Sequence, residues 1–430
     1  MEELRGLRQA DAAIVGGGLT GLLLGAALSQ DGMRVAILEA TESGGGPSAA
    51  IASLHSGSTF IRALEAHGVD VVRHYASSLQ SQLNALLATP LPYVQSLPAY
   101  TYARTKADLP ALERHRAVYT QLGLPMHAAP DAGGCPFPVE LSLLSQGAVV
   151  DVCRWKAALQ SSILRNGGRL YANSRVTGFD GGRICTAHGA VCAPIVILTT
   201  GKPLGMHDKR LLTLLESRTI AYCALSMDTP LHSIQQSLAD RFTLCPTPTG
   251  AIASMPLGHC GTKRVSRGLT QFTGALRHLL PDCTQDTLHF SNDVVPADGL
   301  PFIGTMPASR MLFASGVNGV LGAMHAAEVL HRRVTGRALP EDAHYSPARE
   351  IPRQIVQQEA RRMTAYRLDG LLHFRAPHCS HCSGKMRYFS PASLWECPCC
   401  GSCCTMLGEP LSGPGMASVD VSPRQRPWRN

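Results

Sequence analysis

The chain is poor in aromatic residues, which make up 5% of its 430 positions. That scarcity argues against a surface built to stack single-stranded nucleic acid, where each base needs its own aromatic platform. Charged residues are also sparse, at 16%, and the net charge of +8 is mild for this length. An anionic ligand is permitted and a polyanion is not required. The chain has no internal repeat, and a hydrophobic content of 45% excludes a disordered polymer. Long apolar runs are missing too, apart from residues 12–29. Acidic residues precede that stretch where a signal peptide carries clean positive charge, and glycines interrupt it. A cytoplasmic protein without a membrane span is therefore expected.

Cysteine is present in number, 15 in all, but unevenly. Eight are scattered as small core residues, and seven crowd between Cys379 and Cys404. That crowding points to a metal or cluster site in a reducing compartment, not to a disulfide scaffold.

Residues 12–15 form a short apolar run that reads as a buried parallel strand. Gly16-Gly17-Gly18-Leu19-Thr20-Gly21 follows and opens a helix over residues 22–30. A second apolar run, residues 35–38, ends on Glu39. This is a βαβ unit with a dinucleotide loop. Gly16 permits the tight turn, Gly18 the approach of a pyrophosphate, and Gly21 the packing of helix on strand. The helix N-terminus offers unpaired N–H groups to the phosphates. Glu39 can accept hydrogen bonds from ribose hydroxyls and disfavours a 2′-phosphate. Only one such motif follows a strand, so the electrons more naturally come from a small organic substrate than from a second nucleotide domain. Further helices are expected near residues 78–87, 155–165 and 323–334. Strands are expected at 175–179, 195–199, 220–227 and 311–315. Arg218, just before the 220–227 strand, can hold a carboxylate bidentately. His55 and His259 are weaker candidates, because a lone histidine is more often structural.

Asp298-Gly299-Leu300-Pro301-Phe302-Ile303-Gly304, followed by Phe313-Ala314-Ser315-Gly316-Val317-Asn318-Gly319, resembles the closing segments of the D-amino-acid oxidase-like FAD oxidoreductases. The run from Gly167 to Val176, the strand end Thr199-Thr200-Gly201 and Ser48 are similar to the family's cofactor-contacting positions. The resemblance implies an α/β fold, a Rossmann-like FAD domain with an interleaved sheet-based substrate domain, over residues 1–340. It also implies an FAD site made by Gly16, Gly18, Gly21, Glu39, Ser48, Val176, Gly201, Gly316, Asn318 and Gly319. The substrate it implies is an amine or amino acid, oxidised at the C–H beside nitrogen.

Residues 341–372 are polar and basic, with prolines as breakers, and read as a linker or docking helix. From residue 373 to 430 the chain is short-stranded and cysteine-rich. Two ligand sets fit its spacing. Cys379, Cys382, Cys397 and Cys400 give CxxC…CxxC, close to a zinc ribbon. Cys379, His381, Cys397 and Cys400 give a three-cysteine, one-histidine set. The second choice, with Trp395 before Cys397 and the Gly413-Pro414-Gly415 segment after it, resembles a Rieske [2Fe–2S] domain. Such a centre needs two histidines on one iron. Here Cys400 stands at the second position, and Gly384 stands opposite Cys399 where many such domains have a disulfide. The resemblance implies a small all-β Rieske-like module that takes electrons singly from the flavin and hands them to an acceptor protein. Under the zinc alternative the module is an interaction module, with the basic stretches 353–367 and 424–429 as its contact surface. A module that binds nothing is the third option.

Overall fold

The computed structural model of the chain describes residues 2–42, 48–54, 59–129, 133–205, 208–239, 241–307, 309–371, 376–422 and 425. Its centre is a six-stranded sheet in the order Phe302–Thr305, Leu312–Ser315, Ile195–Leu198, Ala12–Val15, Val35–Leu38, Arg169–Tyr171. All neighbours run parallel except the first pair, which is antiparallel. Ala12–Val15 and Val35–Leu38 are buried at every position. That suits central parallel strands covered on both faces and explains their unbroken apolar runs. The helices Leu19–Gln30, Val152–Arg165 and Gly319–Val334 pack together over one face.

A second, larger sheet supplies the other half of the body. It includes Ala49–Ser53, Val94–Ala103, Leu141–Asp151, Leu215–Ser226 and Gly250–His259. The chain enters this sheet and returns to the first one several times, so the two are interleaved. Leu215–Ser226 begins five residues before the strand expected at 220–227, which puts Arg218 inside it. The polar stretch Glu216–Thr219 hid this. Antiparallel pairing with His289–Pro296 and Gly250–His259 is what extends the strand. Residues along it alternate between its two faces. Glu216 and Arg218 lie on one face, Ser217 and Thr219 on the other.

The polar stretch after residue 341 holds the helix Arg353–Leu371. Its Ile355 and Val356 pack on the dinucleotide body, and Met363 packs on the C-terminal module. It is a strut between the two parts. The module is a four-stranded antiparallel sheet, Arg387–Phe389, Leu394–Glu396, Cys403–Thr405, Pro410–Ser412. Its core is made chiefly of Trp395, Met386 and five cysteines. Among the described residues, no helix is long and apolar enough to cross a membrane.

A buried ion pair closes the body. Arg349 donates to Asp298 from Nε at 2.8 Å and from Nη2 at 3.0 Å. It also caps the carbonyls of Leu300 and Pro301. Asp298 is fully buried and takes a third bond from His67 at 2.9 Å. Burial alone would raise the Asp298 pKa, but the bonds from His67 and Arg349 outweigh it and hold the carboxyl low. Arg349→Met should therefore cost about 3–5 kcal/mol in a urea titration at neutral pH, because it strips a buried carboxylate of its main partner. A carboxyl held low stabilises the fold above its unfolded pKa of about 3.9 and loses that contribution as pH falls below it. The gap between wild type and variant should accordingly narrow below about pH 4.

Candidate functional site: a dinucleotide cavity, an arginine-lined cavity and a four-sulfur cage

Gly16 to Gly21 turn the chain from its first strand into its first helix. Gly16 has φ +111°, and a Cβ there would press on Thr199. A Cβ on Gly21 would overlap the Gly16 carbonyl oxygen. Gly18 faces open space and is the N-cap of a helix with no side-chain cap and no acid in its first turn. Its N–H groups are left to a ligand. The cavity beside them, about 730 Å³, is lined by Gly16, Gly18, Glu39, Val176 and Thr199. Glu39 accepts from Gly17 N at 2.8 Å and Thr41 N at 3.0 Å, which orients its carboxylate at the cavity wall.

A second cavity, about 320 Å³, lies at the N-terminus of the helix Gly319–Val334 and is lined by Asn318 to Gly322. Asn318 caps no backbone group there. Its Oδ1 and the nearby Ser315 Oγ are buried without hydrogen-bond partners. These orphaned groups, with the helix N-terminus, suit the polar edge of a ring system. The two cavities thus fit the two ends of a flavin dinucleotide. Gly201 and Gly316 both have positive φ, +79° and +70°, and shape the turns beside the cavities without lining them. Ser48 is exposed, lines neither cavity, and uses its carbonyl to accept from Val152 N at 2.9 Å.

Arg218 lines the smaller cavity together with Arg62, Arg241 and Asp293. Glu216 orients it, accepting from Nε at 3.0 Å and Nη2 at 2.6 Å. Burial raises the Asp293 carboxyl to about 6, although Arg218 and Arg241 pull the other way. His259 is buried and sits between Glu216 and the Pro398 carbonyl, with Nε2 2.7 Å from the latter. It also stacks on Tyr366 at 4.4 Å. It bridges body and module and is not a loose ligand. His55 lies outside the described residues, as do most of residues 424–429.

In the module, Cys379, Cys382, Cys397 and Cys400 bring their sulfurs within 4.8 Å of one another. The fourth corner is Cys382, not His381. Two matching turns cause this. Ser383 N donates to Cys379 O at 3.0 Å, and Gly401 N donates to Cys397 O at 2.9 Å. Ser383 and Gly401 are both left-handed, at φ +56° and +74°. Each turn points the first and fourth residues of its Cys-x-x-Cys inward. His381 falls mid-turn, where it gives its N–H to Cys379 Sγ at 3.4 Å and helps hold the Cys400 thiol low. The bond from Cys379 is the chief cause that lowers Cys400, to about 5, with that of His381 the smallest, while the bonds of Cys397 to its neighbours drive its thiol well up. Four thiols so close share protons unless a cation takes their place. Zinc–sulfur bonds of about 2.3 Å put tetrahedral sulfurs about 3.8 Å apart. The Cys379–Cys400 and Cys382–Cys397 separations, both 3.5 Å, are near that edge. A two-iron cluster divides four ligands between two metal atoms and needs the pairs further apart.

The cage is pressed against the body. A Cβ on Gly401 would overlap Ser217 Oγ, and one on Gly261 would strike the Pro398 nitrogen. Glu396 is buried and accepts from Gly261 N at 2.8 Å. Lys202, 3% exposed, lies beside Cys400, Cys260 and Cys397. Module residues Glu396, Leu411 and Gly413 form part of the dinucleotide cavity wall. Sequence reasoning missed Arg62, Arg241, Glu216 and Lys202, because each acquires its role only through long-range packing.

The family described as FAD dependent oxidoreductase (DAO) matches residues 11–333. A Bacillus subtilis protein with the provisional name Rieske 2Fe-2S iron-sulfur protein YhfW is 21% identical, over 95% of this chain and 92% of its own. Glycine oxidase from Geobacillus kaustophilus superposes with a TM-score of 0.62 at 20% identity, covering 80% of this chain and all of its own. L-Proline dehydrogenase from P. horikoshii superposes at 0.60 and 14% identity, covering 81% of this chain and 98% of its own.

The glycine geometry predicts two different failures. A Cβ on Gly18 meets no protein atom within 4 Å, so the Gly18→Asp variant should fold with an unchanged melting temperature yet retain no dinucleotide after purification. Gly21→Ala should instead lower the melting temperature, because strand turn and helix collide. Absorbance of the released cofactor and a thermal melt check both.

Proposed function

Because the chain belongs to the FAD dependent oxidoreductase family, we propose that it oxidises an amine or amino acid at the C–H next to nitrogen. The observation that carries this reading is the placement of Arg218 and Asp293 on the wall of the cavity at the N-terminus of the last helix. When bound, FAD supplies the two-electron acceptor. The residues Gly16, Gly18, Glu39 and Val176 would hold its adenosine and pyrophosphate, and Asn318 and Gly319 would meet the flavin ring.

The chain's own residues would do the rest. Arg218, held by Glu216, pairs with the substrate carboxylate and sets its orientation. An ammonium substrate must lose a proton before its C–H can leave as hydride. Among the described residues Asp293 is the carboxylate that faces this cavity, and as the base it takes that proton. The imine product then hydrolyses in water. The chemistry needs no second nucleotide domain.

For the module we propose a closed four-thiolate site for one ion, formed by Cys379, Cys382, Cys397 and Cys400. The donor set suits zinc, which would lock two turns together and hold the module on the body. A second reading, in which a [2Fe–2S] centre on Cys379, His381, Cys397 and Cys400 draws electrons singly from the flavin, is supported by the name of the Bacillus subtilis relative. Close docking of the module beside the dinucleotide cavity favours either role.

Anaerobic addition of the right amine or amino acid should bleach the flavin, and failure across amines and amino acids of every class would sink the proposal. Arg218→Ala should act mainly through KM if the arginine only holds the carboxylate. The wild-type kcat/KM should fall as pH drops through about 6, as Asp293 becomes protonated, and Asp293→Asn should remove that acid limb. One metal ion per chain without acid-labile sulfide supports the single-ion site. Two irons with two sulfides would replace it by the cluster.

A further inference from the structure

The cage uses four of the seven cysteines that crowd between Cys379 and Cys404. Cys403 is left over from it and belongs to a separate group, on the boundary between body and module. There Cys260, Glu396 and Cys403 bring one ligand atom each within 4.8 Å of one another. All three side chains are buried, Cys260 completely.

The local structure assembles this group from two directions. Glu396 ends the strand Leu394–Glu396, Cys403 begins the strand Cys403–Thr405, and the two stand directly opposite each other in the antiparallel ladder. Residues so paired put their side chains on one face of the sheet. Cys260 comes from the body, just after the strand Gly250–His259, and its N–H donates to Ser217 O at 3.0 Å. Gly261 follows with φ +71° and no room for a Cβ against the Pro398 nitrogen. Body and module backbones therefore meet closely enough for one ion to reach ligands on both.

The donors suit such an ion. The Cys260 and Cys403 sulfurs are 3.8 Å apart. Two thiolates on tetrahedral zinc, with bonds of about 2.3 Å, take that spacing. Glu396 accepts one hydrogen bond on each oxygen, from Gly261 N at 2.8 Å and Thr219 Oγ1 at 3.3 Å. Each carboxylate oxygen has two lone pairs, so one remains for a metal. Outer bonds of this kind orient a ligating carboxylate. Asn292 Nδ2 lies 3.0 Å from Cys403 Sγ, and a donor there favours the thiolate that a metal requires. Two thiolates and a carboxylate exceed the charge of a divalent ion by one, and Lys202 is a buried cation within electrostatic reach of Cys260. Magnesium and calcium take all-oxygen sets, and copper(I) prefers sulfur without carboxylate, so the mixed set selects zinc.

We infer that Cys260, Glu396 and Cys403 hold a zinc ion of their own, distinct from whatever the cage holds, which bridges body and module. Three protein ligands leave the fourth position of the ion to a water. One ligand is in the body and two are in the module, so the binding of the ion adds to the docking of the two parts.

The test uses the full chain and the metal alone. Elemental analysis should find one zinc per chain beyond the content of the cage. Protein grown with cadmium-113 in place of zinc should show an NMR signal from a site with two sulfurs, upfield of any four-sulfur signal. Cys260→Ala and Cys403→Ala should each abolish it. Asn292→Ala should keep the ion but hold it about 10–100-fold more weakly against a chelator. No two-sulfur signal in the wild type overturns the inference, and so does a signal that persists in both cysteine variants. A Cys260–Cys403 disulfide in protein purified without oxygen also overturns it. If the variants fail to fold, the presence or absence of the wild-type signal decides. Flavin bleaching by amines or amino acids enters none of these readings, so failure of this site and failure of the proposed activity are told apart.

Discussion

The carboxylate of Glu216 is the point at which the separate parts of this molecule meet. It orients Arg218 on the cavity wall, receives Arg362 from the strut helix, and faces the imidazole of His259. His259 in turn reaches the Pro398 carbonyl, between two cysteines of the second ligand turn. Burial would raise this carboxyl, but the bond from His259 and the charges of Arg218 and Arg362 outweigh it and drive its pKa far down. It therefore stays charged where three cationic or dipolar groups converge. Cavity wall, strut and module thus share one anion, and none of the three can shift without disturbing the others.

The strand Leu215–Ser226 makes that sharing possible through its period of two. Arg218 lines the arginine-lined cavity, with Glu216 beside it on the same face. Ser217 lies against Gly401 of the module, and Thr219 donates to Glu396 there at 3.3 Å. One pleated ribbon is the partition between an electropositive chamber and a thiol-rich one. On the thiol side, Lys202 plays the counterpart of Glu216. It is a buried cation whose pKa is lowered by desolvation and sustained by Cys400, Cys260 and Cys397.

Legibility in the sequence followed the range of the interactions. The dinucleotide loop was readable because Gly16 to Gly21 and Glu39 act within one βαβ unit. The central strands were readable because full burial leaves an unbroken apolar run. The start of Leu215–Ser226 was not, since its first five residues include four polar ones whose partners lie about 40 residues and more away. Spacing alone left two ligand sets open in the module. The choice between His381 and Cys382 turns on whether residue 383 takes a left-handed φ, a backbone fact that Ser383 does not announce as glycine would. Arg62 and Arg241 were unreadable as a pair because a helix and a turn 179 positions apart bring them together.

The docking of the module follows the same logic of close approach. Gly401 and Gly261 are placed where any side chain would collide across the interface, so the two parts meet backbone against side chain at Gly401 and backbone against backbone at Gly261. Cys260 of the body and Cys403 of the module stand 3.8 Å apart, and Asn292 of the body donates to Cys403 Sγ at 3.0 Å. Glu396 spends its two oxygens on Gly261 and Thr219, both in the body. An interface built from buried polar groups, each paired across the boundary, is costly to open, because every group would need a new partner at once. A loosely tethered carrier that swings between sites needs the opposite, a small and wet contact. The module is therefore a fixed wall of the dinucleotide cavity, and any traffic between the two centres must cross a static gap.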